Sequence, residues 1–253
     1  MESIENYQIA WLIALLFVNH IFIYLFEFYA KRRNDIKKIY ALVPSDRQLR
    51  TEFKNSLITT PVHSLIIFLF LIAGLLIVAN ESILTVLVTF FVMFWWTEFW
   101  HYLSHRAMHS KFLLKIHREH HKSYITNPMS AVSFSILEKS IFTLGIVGFA
   151  SLYSYFFSFS FNGLCIYYTF YFATNVLGHS NIEFRSAKYP FSLMGYIVNS
   201  PSYHAMHHAR YVKNYGLITS IFDRLFNTRW TDSDKVVVRA AEGRPLERLS
   251  EKP

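Results

Sequence analysis

The feature that most constrains this chain is its set of apolar runs long enough to cross a lipid bilayer. Residues 7–30 are apolar except for Gln8, Asn19, His20 and Glu27, and 61–80 is almost entirely Leu, Ile, Phe, Val and Ala. A third run begins at Ile83 and continues past Trp96 towards His101. A hydrocarbon core of roughly 30 Å takes about 20 apolar residues as a helix, a length the first two runs meet. A fourth apolar region, 141–178, is broken near Ser158–Asn162 and reads as two shorter helices forming a hairpin. Charged residues make up 17% of the chain, against about 25% in soluble domains. The expected fold is therefore all-α: an integral membrane bundle of about four transmembrane or re-entrant helices. Its expected spans are 7–30, 57–80 and 83–104, with a hairpin over 134–178. Segments 98–127 and 179–230 form a cytoplasmic, histidine-rich helical cap, and 231–253 is a charged surface tail. The whole, 1–253, reads as a single membrane domain.

The first run lacks a basic leader, having Glu2 and Glu5 before it, and no small-residue cleavage site follows, so it reads as a retained helix rather than a signal peptide. Lys31, Arg32, Arg33, Lys37, Lys38, Arg47, Arg50 and Lys54 crowd the connection after it. The positive-inside rule puts that loop in the cytoplasm and the N-terminus outside or in the lumen. The second helix then runs outward, the turn at Asn80–Ser82 lies outside, and the third returns to the cytoplasmic face where the histidines begin. The membrane is either a bacterial inner membrane or the endoplasmic reticulum. The net charge of +8 flanks greasy segments, which favours an anionic membrane surface or an acidic partner protein over nucleic acid.

Histidine is the outlier, at 12 copies, while the single Cys165 excludes an internal disulfide and a cysteine-based metal site. His101, His105 and His109 recur every four residues. His117, His120 and His121 form one His-x-x-His-His box; His204, His207 and His208 form another; His179 stands alone in Leu-Gly-His-Ser-Asn. On a helix, positions i, i+3 and i+4 share a face, so each box aims three imidazoles at one region. Grouped imidazoles without a metal would repel when protonated and leave ring nitrogens unsatisfied when buried. Neutral imidazole suits iron, copper, zinc and nickel. The donor count exceeds what one ion takes and is about right for two. His20 and His63, isolated in apolar helices, read as packing residues. Glu119 projects away from its box on a helix, and Glu98, Glu138 and Glu183 suffice only to orient imidazoles, not to build a carboxylate-bridged core. Redox chemistry beside a membrane favours iron, with zinc able to occupy the same ligands.

These motifs, in this order, resemble the fatty acid hydroxylase and sterol desaturase superfamily of membrane di-iron enzymes. The matching residues are Glu98, Tyr102, His105–Arg106–Ala107–Met108–His109, His117 to His121, His179–Ser180–Asn181, His204 to His208, Asn214–Tyr215–Gly216 and Phe222 to Thr228. Phe222 stands where the family has Trp, and Asn227 where it has Gly. Spacing alone allows either His101/His105 or His105/His109 as the first pair; the resemblance selects His105 and His109. It implies a ligand set of His105, His109, His117, His120, His121, His179, His204, His207 and His208 around two iron ions. His101 is left as a supporting residue or an extra ligand, and Glu98, Tyr102, Asn181, Asn199 and Tyr203 as candidate supporting groups. It also implies an oxidoreductase that uses dioxygen and electrons from a separate donor, of cytochrome b5 or ferredoxin type with its reductase, to hydroxylate a C–H bond of a membrane lipid. Desaturation of a sterol or carotenoid-type substrate is the alternative within the superfamily, and a non-catalytic zinc-binding membrane protein the alternative outside it. The basic loop at 31–54 is either a headgroup-contacting segment or a dock for an acidic electron donor. A greasy tunnel to the metal is expected, with Trp95, Trp96, Trp100, Phe134, Tyr167 and Tyr171 as candidate lining.

Overall fold

A computed structural model describes residues 6–32, 36–78 and 81–252, and among these every regular element is helical. The α-helices are α1 (Asn6–Arg32), α2 (Asp46–Ile72), α3 (Ile83–Met108), α4 (Leu114–His117), α5 (Ile136–Phe156), α6 (Phe161–Gly178), α7 (Leu193–Ile197), α8 (Pro201–Arg210), α9 (Ile221–Leu225) and α10 (Ser233–Ala241). Among the described residues, α2, α3 and α5 are each long and apolar enough to cross a membrane. Side chains on their outer faces, such as Leu65, Leu87, Phe91 and Leu152, are exposed, as suits helices bathed in hydrocarbon.

Local chemistry sets the helix starts. Ser45, Ser82, Ser135 and Ser160 cap α2, α3, α5 and α6, each side chain accepting a backbone N–H from the first turn. Such caps satisfy donors that lipid cannot. α3 packs against both α5 and α6, and α2 packs against α5. The α3–α5 approach is close: a Cβ on Gly145 would fall 2.0 Å from the Trp100 ring, while the Trp96 indole donates to the Gly145 carbonyl at 2.9 Å. Small residues let membrane helices meet in this way.

Three expectations change here. The second helix covers Asp46–Ile72 rather than 57–80; 73–78 leaves it through Gly74, at φ 65°, and Asn80 lies outside the described residues. Its first turns carry buried polar groups: Glu52 accepts from Ser123, Asn127 and Gln48. A sequence window sees these as loop polarity, whereas the fold uses them to fasten the cap to the bundle. Second, α3 runs four residues past the expected 104, so the bundle helix itself carries His105 into the cap. Third, the segment expected as a charged surface tail, 231–253, contains a packed helix. α10 buries Val236 and Ala240 against Ala205 and Met206 of α8, and Leu246 pairs with Tyr40 in an isolated bridge. Its charged residues occupy one helical face and its apolar residues the other, so mean polarity hid the packing.

Candidate metal centre

The histidines reach one place from four directions. α3 carries His105 in its last turn with His109 as its C-cap, and α6 ends with His179 as its C-cap. α8 starts at Pro201, whose missing N–H costs nothing in the first turn, and presents His204, His207 and His208. The remaining box is not one helix. α4 stops at His117, and His120–Lys122 is a separate 3₁₀ turn, so its donors fan out instead of sharing a face.

Two groups result. His105, His109, His117, His121 and His207 form the first, and His120, His179, His204 and His208 the second. Within each, one ligand atom per residue lies within 4.8 Å of all the others. Donors sharing an ion at about 2.1 Å lie up to about 4.2 Å apart, so both groups close around an ion with small shifts. Each box is divided between the groups: its i, i+4 pair goes to one and its i+3 histidine to the other. The groups adjoin, since His120 and His121 are consecutive and the His105 and His204 rings are 6.3 Å apart.

The hydrogen bonds fix which ring nitrogen faces inward. Nδ1–H donates outward to a backbone carbonyl in His105 (Tyr215, 2.8 Å), His120 (Ser133, 2.9 Å), His179 (Asn175, 2.8 Å), His207 (Lys213, 2.7 Å) and His208 (Ser123, 2.9 Å). His117 Nδ1 meets the Glu138 carboxylate at 2.6 Å. Each of these rings, when neutral, then turns an Nε2 lone pair inward. Those lone pairs meet other imidazoles: His204 Nε2 lies 3.0 Å from His179 Nε2 and 3.1 Å from His208 Nε2. One Nε2–H on His204 can serve only one neighbour. Buried Nε2 atoms of His105 and His117 have no hydrogen-bond partner at all. Converging lone pairs with no protons between them fit a cation at the centre of each group, and all-nitrogen donors suit a first-row transition ion.

A family profile described as fatty acid hydroxylase matches residues 90–228, a stretch that contains both histidine groups. The chain belongs to the fatty acid hydroxylase family. Curated relatives agree. The chain is 30% identical over 159 residues to very-long-chain aldehyde decarbonylase GL1-6 of Oryza sativa subsp. indica, covering 58% of this chain and 24% of that protein. It is 31% identical over 161 residues to protein CER1-like 2 of Arabidopsis thaliana, covering 62% of this chain and 25% of that protein. The chain therefore matches about a quarter of these relatives' length. No solved structure matches it. Family and relatives together point to a lipid-modifying membrane enzyme.

Of the other residues that resemble the fatty acid hydroxylase motifs, most fasten the cap. Glu98 accepts the Thr219 N–H at 2.6 Å, and Glu183 accepts from the Ser202 hydroxyl at 2.6 Å. Neither touches an imidazole, contrary to the expectation that these acids orient the rings; Glu138 alone of the three does so. Tyr102 stacks on Phe222 and Phe226 and hydrogen-bonds Thr228 and Arg106. Asn181, in left-handed conformation, clasps both backbone groups of Tyr40. Asn199 donates to the Gly216 and Leu217 carbonyls, and Tyr203 is buried beside Asp223. His101 lies in neither group: its Nδ1 is 3.2 Å from the Tyr171 hydroxyl, and its ring is 5.1 Å from that of His105. His20 and His63 also stand apart, His63 being hydrogen-bonded to Thr143 and stacked on Tyr168. Glu119 turns outward to Lys122 and Asn55. The orienting carbonyls carry no sequence signal, since any residue supplies one.

Burial disfavours the protonated rings throughout the cap. His120 and His179 are pushed down to about 3 and His109 to about 4, by burial first, with neighbouring imidazoles adding; His204, His207 and His208 lie well below the usual value for the same reasons. The unfolded chain takes up these protons near pH 6.5 and the folded protein only far lower. Between the two the unfolded state binds more protons, so stability rises with pH and is lost on acidification. Lowering the pH from 7 towards 4 is expected to release bound metal and depress the melting temperature together, starting below about 6.5. Metal retained after desalting, measured alongside thermal unfolding at each pH, checks this; constant values across that interval would contradict it.

Proposed function

We propose that this chain uses two iron ions, dioxygen and electrons from a separate donor to hydroxylate a C–H bond of a lipid. The observation that carries the reading is that a greasy cavity meets the histidine groups. An apolar cavity between α2, α5 and α6 is lined by Ile67, Phe142, Ile146, Val147, Leu164 and Tyr168, among others. A second cavity, lined by His105, His117, His120, His179 and His204, shares Lys139, Phe142, Tyr171 and Asn175 with the first. Among the tunnel aromatics expected above, Phe134, Tyr167 and Tyr171 line these spaces, whereas Trp95, Trp96 and Trp100 do not. Trp96 instead stacks on Phe149 and Trp100 at the α3–α5 contact, and Trp95 is exposed on the outside of α3.

Iron bound by the two groups would supply the redox chemistry that activates dioxygen. The chain's own residues do the remainder. Six of the nine imidazoles, held by outward Nδ1–H donation, keep their donor atoms aimed inward; the apolar wall admits a hydrocarbon chain and keeps water from the reacting carbon. The basic residues between α1 and the first turns of α2, including Lys37, Lys38, Arg47, Arg50 and Lys54, support a cytoplasmic placement of this face, with the N-terminus on the other side. They also offer a positive rim to an acidic electron donor. The names of relatives such as very-long-chain aldehyde decarbonylase GL1-6 favour a second reading, in which a very-long-chain aldehyde is the substrate.

The test is oxygen uptake by purified protein loaded with iron or with zinc, supplied with a reductant and lipid. Iron-loaded protein is expected to consume dioxygen in step with oxidised lipid product, and product analysis separates a hydroxylated chain from a shortened one. Equal activity with zinc alone would end the oxygenase reading.

A further inference from the structure

Lys139 is a cation placed where the fold has no use for one. It follows Glu138 in the first turn of α5, and both side chains line the histidine-walled cavity; Glu138 is committed to the imidazole of His117, while Lys139 also lines the greasy cavity. Its Nζ lies 5.2 Å from the centre of the Phe134 ring, and Phe134 stacks on the second-group ligand candidate His120 at 4.5 Å. The ammonium is thus one aromatic ring away from the histidines. Among the described residues, no carboxylate forms an ion pair with it and no side chain or carbonyl accepts a hydrogen bond from it. A cation over an aromatic face recovers only part of what leaving water costs. An unpaired Lys within a membrane-crossing helix therefore implies a partner that arrives from outside the fold.

We propose that Lys139 is the specificity-determining residue that pairs with a carboxylate at the polar end of the lipid and holds that end beside the metal centre. This rests on the oxygenase reading for what happens next, but not for the binding itself. From Lys139 the greasy cavity runs along α5 past Phe142, Ile146 and Ala150, about 16 Å by helix rise. It leads away from the histidines. A chain held by its polar end at Lys139 fills that space with its tail, so only the carbons next to the carboxylate approach the histidine groups. Oxidation then falls near the polar end, whatever the tail length.

The experiment measures displacement of a fluorescent fatty acid from the detergent-purified full chain by a sixteen-carbon carboxylate, its methyl ester and the corresponding alcohol. Wild type is expected to prefer the carboxylate over the ester by about tenfold or more, the scale of a hydrogen bond to a charged group. Lys139→Gln is expected to erase that preference while leaving ester affinity and metal content unchanged; Lys139→Arg is expected to keep it. In turnover, Lys139→Gln should raise KM for the carboxylate with a smaller change in kcat and spread the position of oxidation along the chain. Equal binding of carboxylate and ester by wild type, or an undiminished preference in Lys139→Gln, overturns the proposal. Lys139-dependent binding without any lipid oxidation would sink the oxygenase reading and leave this one standing; oxidation with a Lys139-independent preference would do the reverse.

Discussion

Replacing His120 with alanine is expected to empty the second histidine group and abolish lipid oxidation, leaving about one ion per chain instead of two. That group has four donors, His120, His179, His204 and His208, and three imidazoles with a gap hold an ion far less well. His207→Ala acts on the other group, which keeps His105, His109, His117 and His121. Four donors can still close a site, so its loss of metal is expected to be the smaller of the two, although oxidation should still fall to background. Removing an outer partner of a ligand costs 10–100-fold in metal affinity or activity, and removing the donor itself costs more. Metal analysis of both purified variants, with helicity by circular dichroism as the folding control, reads the result. Full metal content with full activity in either variant would show that its histidine is not a ligand.

Glu138→Ala is expected to weaken metal binding at the first group by about 10–100-fold while sparing the second. The carboxylate meets His117 Nδ1 at 2.6 Å, fixing the ring so that Nε2 faces the other four donors and raising its basicity. Its loss frees the imidazole to turn and leaves a buried Nδ1–H without an acceptor, which is costly in itself. Glu138→Gln keeps an acceptor of similar shape without the charge and should fall between wild type and alanine. Competitive metal titration distinguishes the two ions, since only one should weaken. Equal weakening of both would mean that the substitution acts through the fold.

Much of the architecture was legible because its signals are local. A run of apolar residues with membrane length needs no partner to be recognised, and the third run begins where the structure starts α3, at Ile83. Other features depend on distant contacts and were not readable. The polar face of early α2 looks like loop until Glu52 meets Ser123 and Asn127. Which tryptophans of α3 face the cavity cannot be read from a helix that is apolar on every side, because no contrast marks its inner face. Lys139 reads as an ordinary basic residue at a membrane border until the two cavities are seen to meet beside it.

The histidine content, its spacing and the apolar runs were sufficient by themselves to specify an all-helical membrane protein with clustered imidazoles of the fatty acid hydroxylase type. How the donors are divided, two against one across each box, was decided only by tertiary structure. Helical periodicity would put His117, His120 and His121 on one face, but the helix stops at His117. Some rings then take the direction set by an acceptor brought from far along the chain, as when Tyr215 receives His105 and Ser123 receives His208. Spacing determines which side chains can be neighbours on one helix; the orientation of donor atoms such as those of His105 and His208 is set by hydrogen bonds that exist only once segments 85 to 110 residues apart have packed together.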